Sequence, residues 1–375
     1  MKILFDPQVY FWQQYGGISR YCTEIYRLLK NDKDLKVLFP LFESNNIHLK
    51  HYGLQPKLYE ILVKLKGFKR VTSYDNIKWS KNKVLKILKE GKVDVFVPTY
   101  YDTYFLESIG DIPYVLTVHD MIYELYPNYF NSDSDSVIRE HKRTLIKNAN
   151  KIIAVSQNTK RDLIKFFPEI NENKIDVVYL SQSLNKFCNN SNKKNNKSKY
   201  LLFVGNRSLY KNFNYLIISI SEWLIKNQVD LICLGGGAFK NEEKILIKKL
   251  SLENLVYQKS VKDYELKDYY ANAISFVFPS EYEGFGIPIL EAMACGCPVI
   301  LPKLSSFPEV AGDAGIYFEI GDSKSLTTML SEILNNVEFR NKKVEFGYKQ
   351  AMRFSWEKTK EGCLKSYMSV VNPCF

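Results

Sequence analysis

The strongest constraint on this chain is a repeated alternation between short apolar, β-branched runs and longer amphipathic stretches. Such alternation is typical of βαβ units, in which parallel strands are joined by helices that cover the sheet. Candidate strands in the first half begin at Lys2, Lys36, Val93, Tyr114, Lys151 and Lys174, and those in the second half begin at Tyr200, Val229, Asn254, Ile274, Pro298 and Gly315. Because the pattern occurs twice, it predicts two α/β domains.

The length of the chain also favours two domains. A single hydrophobic core stops growing at roughly 250 to 300 residues, and this chain has 375. The tract NNSNKKNNKSK cannot build a core and is typical of a linker. We therefore expect an N-terminal domain at 1–188, a linker at 189–199, a C-terminal domain at 200–353 and a final amphipathic helix at 354–375. Two open α/β sheets joined in this way can form a cleft at the carboxyl ends of their strands, where ligands usually bind.

Composition indicates a cytoplasmic location. No run of roughly 18 apolar residues occurs, and the apolar start of the chain ends at Asp6, which suits a buried strand better than a signal peptide. The seven cysteines are scattered, without the spacing of a metal site, so reduced thiols are expected.

The net charge of +11 is compatible with nucleic acid, an anionic membrane surface or an anionic substrate. Basic residues concentrate between Lys57 and Lys92, interleaved with aromatic and aliphatic residues. This mixture suits contact with the inner face of a membrane, although solvated helix faces over a core explain it equally well. No recognised nucleic-acid-binding motif accompanies the charge, so no nucleic acid partner is expected.

The most informative motif is EYEGFGIPILEAMACGCPVI, which begins at Glu281 after a candidate strand. It predicts a glycine loop, then a helix, then a strand, with Glu283 in the loop and Glu291 in the helix. The amides of Gly286 and Ile287 would face a phosphate from the positive end of the helix. Glu291 could accept hydrogen bonds from ribose hydroxyls, so one segment could hold both parts of a nucleotide.

This segment resembles the large retaining glycosyltransferase family 4, whose fold, GT-B, consists of two Rossmann-like domains facing across a cleft. The resemblance covers nearly the whole chain, and it implies that the C-terminal helix crosses back to the first domain. It also implies that Glu291 binds the donor ribose and that Glu283 lies beside the transferred sugar.

A second motif, VGNRSLYKN, follows the first strand of the second half. A turn here would bring the Arg207 guanidinium and the Lys211 ammonium to one strand end, as a diphosphate leaving group requires. The resemblance implies that these two residues bind the donor diphosphate. Many members of the family carry an arginine directly before the lysine, where this chain has Tyr210.

Two further motifs belong to the first half. In YGGISRY, Gly16 and Gly17 allow close approach of the backbone to a ligand, and a helix opening near Ser19 would offer its amides to an anion. The resemblance places this loop beside the donor diphosphate, in a form most like the branch of bacterial O-antigen mannosyltransferases. His119 closes another candidate strand, and the resemblance implies contact with the donor sugar near its reaction centre.

The resemblance also implies that Val261 meets the nucleobase through its backbone, although core packing explains this valine as well. No metal site is expected, because the two Asp-x-Asp triplets lie in solvated stretches and the histidines lack a carboxylate cluster. No cofactor is expected either, since GGG at 235–237 lacks the spacing of a dinucleotide fingerprint and suits a close turn.

Together these features predict a metal-independent, retaining hexosyltransferase with a nucleoside-diphosphate sugar as donor. A GDP-linked, mannose-like sugar is the first expectation and a UDP-linked sugar the second. The expected acceptor is a lipid-linked oligosaccharide of a bacterial surface polysaccharide. Two alternatives stay open: a sugar-nucleotide 2-epimerase, and a non-catalytic partner subunit of a transferase.

Overall fold

The computed structural model of the protein describes residues 1–56, 73–184, 199–207 and 209–371. These residues form two compact units, each with its own sheet and core. Unit 1 comprises residues 1 to 180 together with the C-terminal helix that begins at Trp356, and unit 2 runs from Ser181 to Ser355. The predicted linker tract at 189–199 lies outside the described residues except for Lys199.

Unit 1 is an α/β unit with parallel strands. Its strands are β1 (Lys2–Phe5), β2 (Lys36–Leu38), β3 (Val95–Val97), β4 (Val115–Val118), β5 (Lys151–Ala154) and β6 (Ile175–Val177). Its helices are α1 (Val9–Trp12), α2 (Gly17–Lys30), α3 (Ile47–His51), α4 (Ser73–Lys89), α5 (Ile122–Leu125), α6 (Asp133–Asn148), α7 (Gln157–Phe166) and the terminal helix (Trp356–Val371), with short 3-10 turns at Leu106–Ser108 and Glu172–Lys174.

The strands of unit 1 pair in the orders β2-β1-β3 and β4-β5-β6. A parallel bridge between Phe96 and Tyr114 joins the two groups. The chain order reverses between β1 and β3, so their carboxyl ends form a topological switch point. Apolar side chains from the sheet and its helices form one core, in which Leu4, Phe96 and Leu116 are fully buried.

Residues near the end of the chain pack on this unit. The hydroxyl of Ser366 donates a hydrogen bond to Asp176 at 2.7 Å, and that of Thr359 donates to the carbonyl of Tyr179 at 2.8 Å. Lys360 pairs with Asp32 at the end of α2. The terminal helix is therefore a structural part of unit 1.

Unit 2 is a second α/β unit with parallel strands. Its strands are β7 (Tyr200–Val204), β8 (Asp230–Leu234), β9 (Val256–Lys259), β10 (Ser275–Val277), β11 (Val299–Pro302) and β12 (Gly315–Phe318). Its helices are α8 (Phe213–Asn227), α9 (Asn241–Lys249), α10 (Asp263–Asn272), α11 (Ile287–Ala294), α12 (Phe307–Ala311), α13 (Ser323–Asn335) and α14 (Val337–Ala351), with 3-10 turns at Leu209–Lys211 and Gly312–Ala314.

The sheet of unit 2 has the order β9-β8-β7-β10-β11-β12. This is the strand order of a Rossmann fold, in which each half of the sheet adds strands outward from the centre. All of its pairs are parallel. The predicted α/β class with two Rossmann-like units is confirmed, since every candidate run contains a strand of a parallel sheet.

Candidate functional site

The centre of the unit 2 sheet is where a ligand of a doubly wound fold is expected. The chain order reverses between β7 and β10, and the loops that leave these neighbouring strands diverge to opposite faces of the sheet. The loop after β7 carries Arg207 and Lys211, while the loop after β10 carries Glu283. Three of the predicted site residues therefore share one edge of the sheet.

Lys211 and Glu283 meet at this edge. The Lys211 ammonium forms an ion pair with the Glu283 carboxylate, and the two side chains are only 13% and 15% exposed. The ammonium also lies 5.1 Å from the ring centroid of Phe278, at a distance typical of a cation–π contact. A hydrogen bond of 2.9 Å from the Glu281 amide to the Tyr210 carbonyl ties the two loops together. The cation is thus held at the switch point by both loops.

Two serines hold the backbone around Glu283. The hydroxyls of Ser305 and Ser306 donate to the carbonyl oxygen of Glu283 at 2.6 and 2.9 Å. Ser306 Oγ also lies 2.9 Å from the carbonyl oxygen of Phe285. Ser306 is fully buried, and these hydrogen bonds hold the backbone of the loop that carries Glu283.

The loop leads into α11 through Gly286, whose φ of +96° favours glycine. A Cβ at this position would lie 2.9 Å from the Cδ1 atom of Ile289. Ile287 is the first residue of α11, so its amide lies at the positive end of the helix as predicted. Glu291, one turn further, is 3% exposed, and its Oε2 lies 3.5 Å from the Tyr270 hydroxyl.

Arg207 makes contacts within unit 2 that the sequence did not reveal. Its Nε donates to Glu243 at 2.8 Å, and its terminal nitrogens lie 3.0 to 3.4 Å from four carbonyl oxygens of residues 235 to 238. The guanidinium thus contacts the protein on several sides, and its binding of the donor diphosphate stays a prediction. The sequence could not show these contacts, because Glu243 lies 36 residues away.

Val261 lies just beyond β9 and is half-buried. In the sheet, β9 is separated from β7 by β8 alone, so the carboxyl ends of β9, β8 and β7 follow one another along one edge. Val261 and Lys211 therefore lie on the same edge of the sheet, two strands apart. The role of Val261 as a contact of the nucleobase stays a prediction.

In unit 1, His119 follows β4 at the carboxyl edge of the sheet. Its ring packs edge-on against Tyr21 of α2, with a centroid distance of 5.2 Å. The Tyr21 hydroxyl lies 3.1 Å from Thr117 Oγ1 and 3.3 Å from the Cys363 sulfur, so strand and terminal helix both fix this ring. Burial lowers the pKa of His119 to about 4, which keeps the imidazole neutral at pH 7.

A buried ion pair supports the backbone beyond His119. The Lys142 ammonium donates to the carbonyl of Asp120 at 2.7 Å and to the Glu124 carboxylate at 2.8 Å. The side chains of Lys142 and Glu124 are 0% and 4% exposed. A buried pair of this kind holds a fixed geometry, because breaking it leaves an uncompensated charge. The strand end that carries His119 is therefore rigid.

The glycine loop of unit 1 opens a helix earlier than predicted. The helix α2 begins at Gly17, two residues before Ser19, with Gly16 as its N-cap residue. A Cβ on Gly16 would lie 2.5 Å from Gln13 Oε1, so a side chain at this position would displace the Gln13 amide group. Gln13 Oε1 accepts a hydrogen bond of 3.1 Å from the Ser19 amide, so this amide already has a partner within the loop.

The sequence motifs did not single out several of the supporting residues. Tyr21 stands in the YGGISRY motif, but its hydroxyl meets Cys363, which lies 342 residues away. Ser306 and Tyr270 are ordinary polar and aromatic residues in the sequence, without a motif of their own. These residues are far in sequence from the residues that they contact, so no local pattern could have identified them. Across the described parts of the chain, no three His, Cys, Asp or Glu side chains gather as candidate metal ligands.

Sequence comparison agrees with this geometry. Residues 15–181 match the profile of glycosyltransferase family 4, and residues 186–350 match that of glycosyl transferases group 1. The two matches follow one another and together span most of the chain. The chain belongs to the family 4 glycosyltransferases.

Named relatives of this glycosyltransferase include two bacterial proteins. It is 27% identical over 282 residues to O-antigen chain mannosyltransferase B of Escherichia coli, a match that covers 72% of each chain. It is 29% identical over 219 residues to O-antigen chain mannosyltransferase RfbU of Salmonella typhimurium, which covers 58% of this chain and 60% of the relative.

A solved structure shows the same fold as this glycosyltransferase. The structure of HepE from Anabaena in complex with UDP and glucose superposes with a TM-score of 0.74 at 18% identity. The superposition covers 98% of this chain and 99% of HepE. At this identity the likeness shows the fold alone, and the fold is that of the GT-B glycosyltransferases.

Proposed function

We propose that the protein transfers a hexosyl group, mannose in the first instance, from a nucleoside-diphosphate sugar to a hydroxyl group, with retention of configuration. The observation that carries this proposal is the ion pair between Lys211 and Glu283 at the switch point of unit 2. A cation held there can stabilise a diphosphate leaving group, and the carboxylate beside it can orient the transferred sugar.

In the proposed reaction the bond between the anomeric carbon and the diphosphate oxygen breaks. The acceptor oxygen forms a bond to the same face of that carbon, and its proton passes to the leaving diphosphate. The Lys211 ammonium, already in place, offsets the growing negative charge without a metal ion or cofactor. The amides of Gly286 and Ile287, at the positive end of α11, face a phosphate, and Glu291 accepts hydrogen bonds from the ribose hydroxyls.

Three residues of unit 1 complete the proposed set. The neutral imidazole of His119 can exchange hydrogen bonds with a sugar hydroxyl, because burial keeps it uncharged at pH 7. Gly16 and Gly17 open α2 and can approach a phosphate closely. In unit 2, the half-buried Val261 would meet the nucleobase through its backbone.

GDP-mannose is the preferred donor because both named bacterial relatives are mannosyltransferases. A UDP-linked sugar is second, since the HepE structure holds UDP and glucose. The names of the relatives also favour a growing O-antigen chain as the acceptor. We therefore propose a lipid-linked oligosaccharide of a bacterial surface polysaccharide, reached from the cytoplasmic face of the membrane.

The proposal is tested by the release of GDP or UDP from GDP-mannose and UDP-glucose, with EDTA present. The wild type is compared with Glu283→Gln and with Glu222→Gln, a matched change of an exposed glutamate on α8. Release by the wild type and by Glu222→Gln, but not by Glu283→Gln, would support the proposal. Folded wild-type protein that releases neither nucleotide would contradict it. A donor whose sugar is epimerised at C2, without release of the nucleotide, would indicate an epimerase.

Membrane contact is proposed for the exposed face of α4. This helix exposes Lys78, Lys83, Lys86 and Lys89 together with Tyr74, whose side chain is 70% exposed. Lysines and aromatic rings on one helix face suit an anionic bilayer surface. The part of the basic stretch from Lys57 to Arg70 lies outside the described residues. In the described part of the chain, no helix has the length and apolar character needed to span a bilayer.

Charge reversal tests this contact. The double variant Lys83→Glu, Lys86→Glu is expected to bind vesicles containing phosphatidylglycerol at least about tenfold more weakly than the wild type, since each lysine near an anionic surface contributes about 1 kcal/mol. Lys244→Glu, Lys248→Glu is the control, because it reverses two exposed lysines on α9 of unit 2. Equal binding by both double variants in a sedimentation assay would exclude α4 as the contact.

A further inference from the structure

The turn after β8 has an unusual backbone. Gly235, Gly236 and Gly237 have φ values of +83°, +69° and +70°, so three successive residues are left-handed. These residues bend the chain after β8, and their carbonyl oxygens converge. They point at Arg207, whose terminal nitrogens lie 3.2 Å from the Gly235 oxygen and 3.0 Å from the Gly237 and Ala238 oxygens.

Glu243 completes the surroundings of the guanidinium. One of its carboxylate oxygens accepts from Arg207 Nε at 2.8 Å, and the other accepts from the Lys240 amide at 2.7 Å. The rings of Phe239 and Phe213 lie 4.8 and 5.7 Å from the guanidinium carbon. The side chains of Arg207 and Glu243 are only 3% and 8% exposed. The arginine therefore binds the turn and the start of α9 to the loop after β7.

The position of this turn gives it a role in donor binding. In the sheet, β8 lies between β7 and β9. The glycine turn therefore occupies the edge between Lys211, the proposed contact of the diphosphate, and Val261, the proposed contact of the base. A nucleotide that reaches from one to the other has to pass over it.

We infer that Arg207 is a positioning residue, which shapes the glycine turn under the nucleotide, and that it does not bind the diphosphate directly. The inference rests on the proposed donor site. It predicts that a change in the turn that disturbs Arg207 weakens nucleotide binding as much as a change in Arg207 itself.

The glycine turn offers a matched pair of variants. A Cβ on Gly236 would lie 2.8 Å from Arg207 Nη1 and 3.0 Å from the carbonyl oxygen of Gly205, whereas a Cβ on Gly237 would have no atom within 4 Å. Both glycines have nearly the same φ, so Gly236→Ala and Gly237→Ala share the backbone cost. They differ in the contacts with Arg207 and with the backbone of Gly205 and Asn206, and Glu243→Gln tests the Arg207 contact without touching that backbone. Glu243→Gln has an equivalent control in Glu242→Gln, an exposed neighbour on α9.

The measurements are calorimetric affinities for GDP and UDP and the KM and kcat for the donor. Arg207→Lys, Gly236→Ala and Glu243→Gln are each expected to weaken binding of the preferred nucleotide about tenfold or more and to raise KM more than they lower kcat. Gly237→Ala, which carries only the backbone cost, is expected to weaken binding less than Gly236→Ala, and Glu242→Gln is expected to bind like the wild type. A direct contact between Arg207 and the diphosphate predicts the opposite pattern, with binding kept in Gly236→Ala and Glu243→Gln, and that result would overturn the inference.

Hydrogen exchange separates this inference from the proposed function. Amides from residue 238 to residue 250 are expected to exchange about tenfold faster in Arg207→Lys and in Gly236→Ala than in Gly237→Ala. If the wild type binds neither nucleotide, the proposed function fails, and faster exchange still shows that Arg207 orders the turn. Unchanged exchange in Arg207→Lys would overturn the inference whatever the nucleotides do.

Discussion

Replacement of Lys211 by methionine is expected to lower kcat/KM for the donor by about 10²- to 10³-fold, the loss typical of removing one preorganised group that stabilises developing charge. Methionine keeps the length and much of the volume of the side chain. It removes the charge that pairs with Glu283 and lies over the ring of Phe278. The variant therefore isolates the electrostatic part of the role of Lys211.

Steady-state release of the nucleoside diphosphate measures this effect. Lys226→Met on α8 is the control, since it removes an exposed lysine from the same unit. It is expected to leave both kcat and KM unchanged. A Lys211→Met variant that melts like the wild type and keeps more than about a third of its kcat/KM would show that Lys211 does not stabilise the leaving group.

The second large effect concerns Asp6, which follows β1 at the switch point of unit 1. Its side chain is fully buried, and burial raises its pKa from 3.8 to about 7. One carboxylate oxygen accepts from the Tyr104 hydroxyl at 2.8 Å, while the other has no hydrogen-bond partner among the described residues. Nearby Asp102 raises the pKa further, since two carboxylates repel each other.

Because the folded pKa of Asp6 lies above its unfolded value, the folded state binds the proton more tightly. The contribution of Asp6 to the free energy of unfolding is therefore highest at low pH, and it falls as the pH rises from about 4 to about 7. Asp6→Asn abolishes this loss. The free energy of unfolding of the variant, relative to that of the wild type, is expected to rise by roughly 3 to 4 kcal/mol between pH 4 and pH 8.

His119 opposes this trend in the wild type. Its folded pKa of about 4 is below the unfolded value of 6.5, so its contribution to stability is present above pH 6.5 and is lost as the pH falls towards 4. In the Asp6→Asn variant, the rise caused by His119 remains without the opposing fall. Stability should therefore increase with pH between 4 and 6.5 in the variant and stay flatter in the wild type.

Urea unfolding of the full chain over this pH range measures the difference. Asp111→Asn, which changes an exposed aspartate of the same unit, is the control and is expected to run parallel to the wild type. A constant difference between Asp6→Asn and the wild type at every pH would mean that Asp6 has the same pKa in the folded and in the unfolded protein. The burial of its carboxylate would then have no effect on its pKa.

Much of the fold could be predicted from the sequence because parallel strands buried on both faces leave continuous apolar runs. The ends of the strands were harder to predict. The second run, KVLFPLF, holds a strand of only three residues, Lys36–Leu38, because Pro40 lacks the N–H that a continued ladder needs. Local turn chemistry likewise predicted the α11 segment well, since Gly286 and Pro288 define the start of that helix.

The parts of the site that depend on distant contacts could not be predicted. The sequence places Lys211 and Glu283 at strand ends, but their ion pair joins residues that are 72 positions apart. The environment of Arg207 depends on Glu243 and on a turn whose carbonyl directions no pattern of residue types reveals. The environment of Asp6 depends in the same way on Tyr104, which lies in the segment after β3, 98 positions away. A motif identifies a residue and the strand end at which it lies, whereas the residues that contact it are determined by tertiary packing.

A nucleotide-sugar site in unit 2 should be detected by the thermal stabilisation of the purified protein with GDP, UDP, ADP and NAD, without added metal. A ligand that binds only the folded state raises the melting temperature, and at 100 times its Kd it adds about 2.7 kcal/mol. A shift with GDP, or with UDP in second place, that Lys211→Met abolishes is the expected result. No shift with any nucleoside diphosphate, or a shift with NAD alone, would contradict the account.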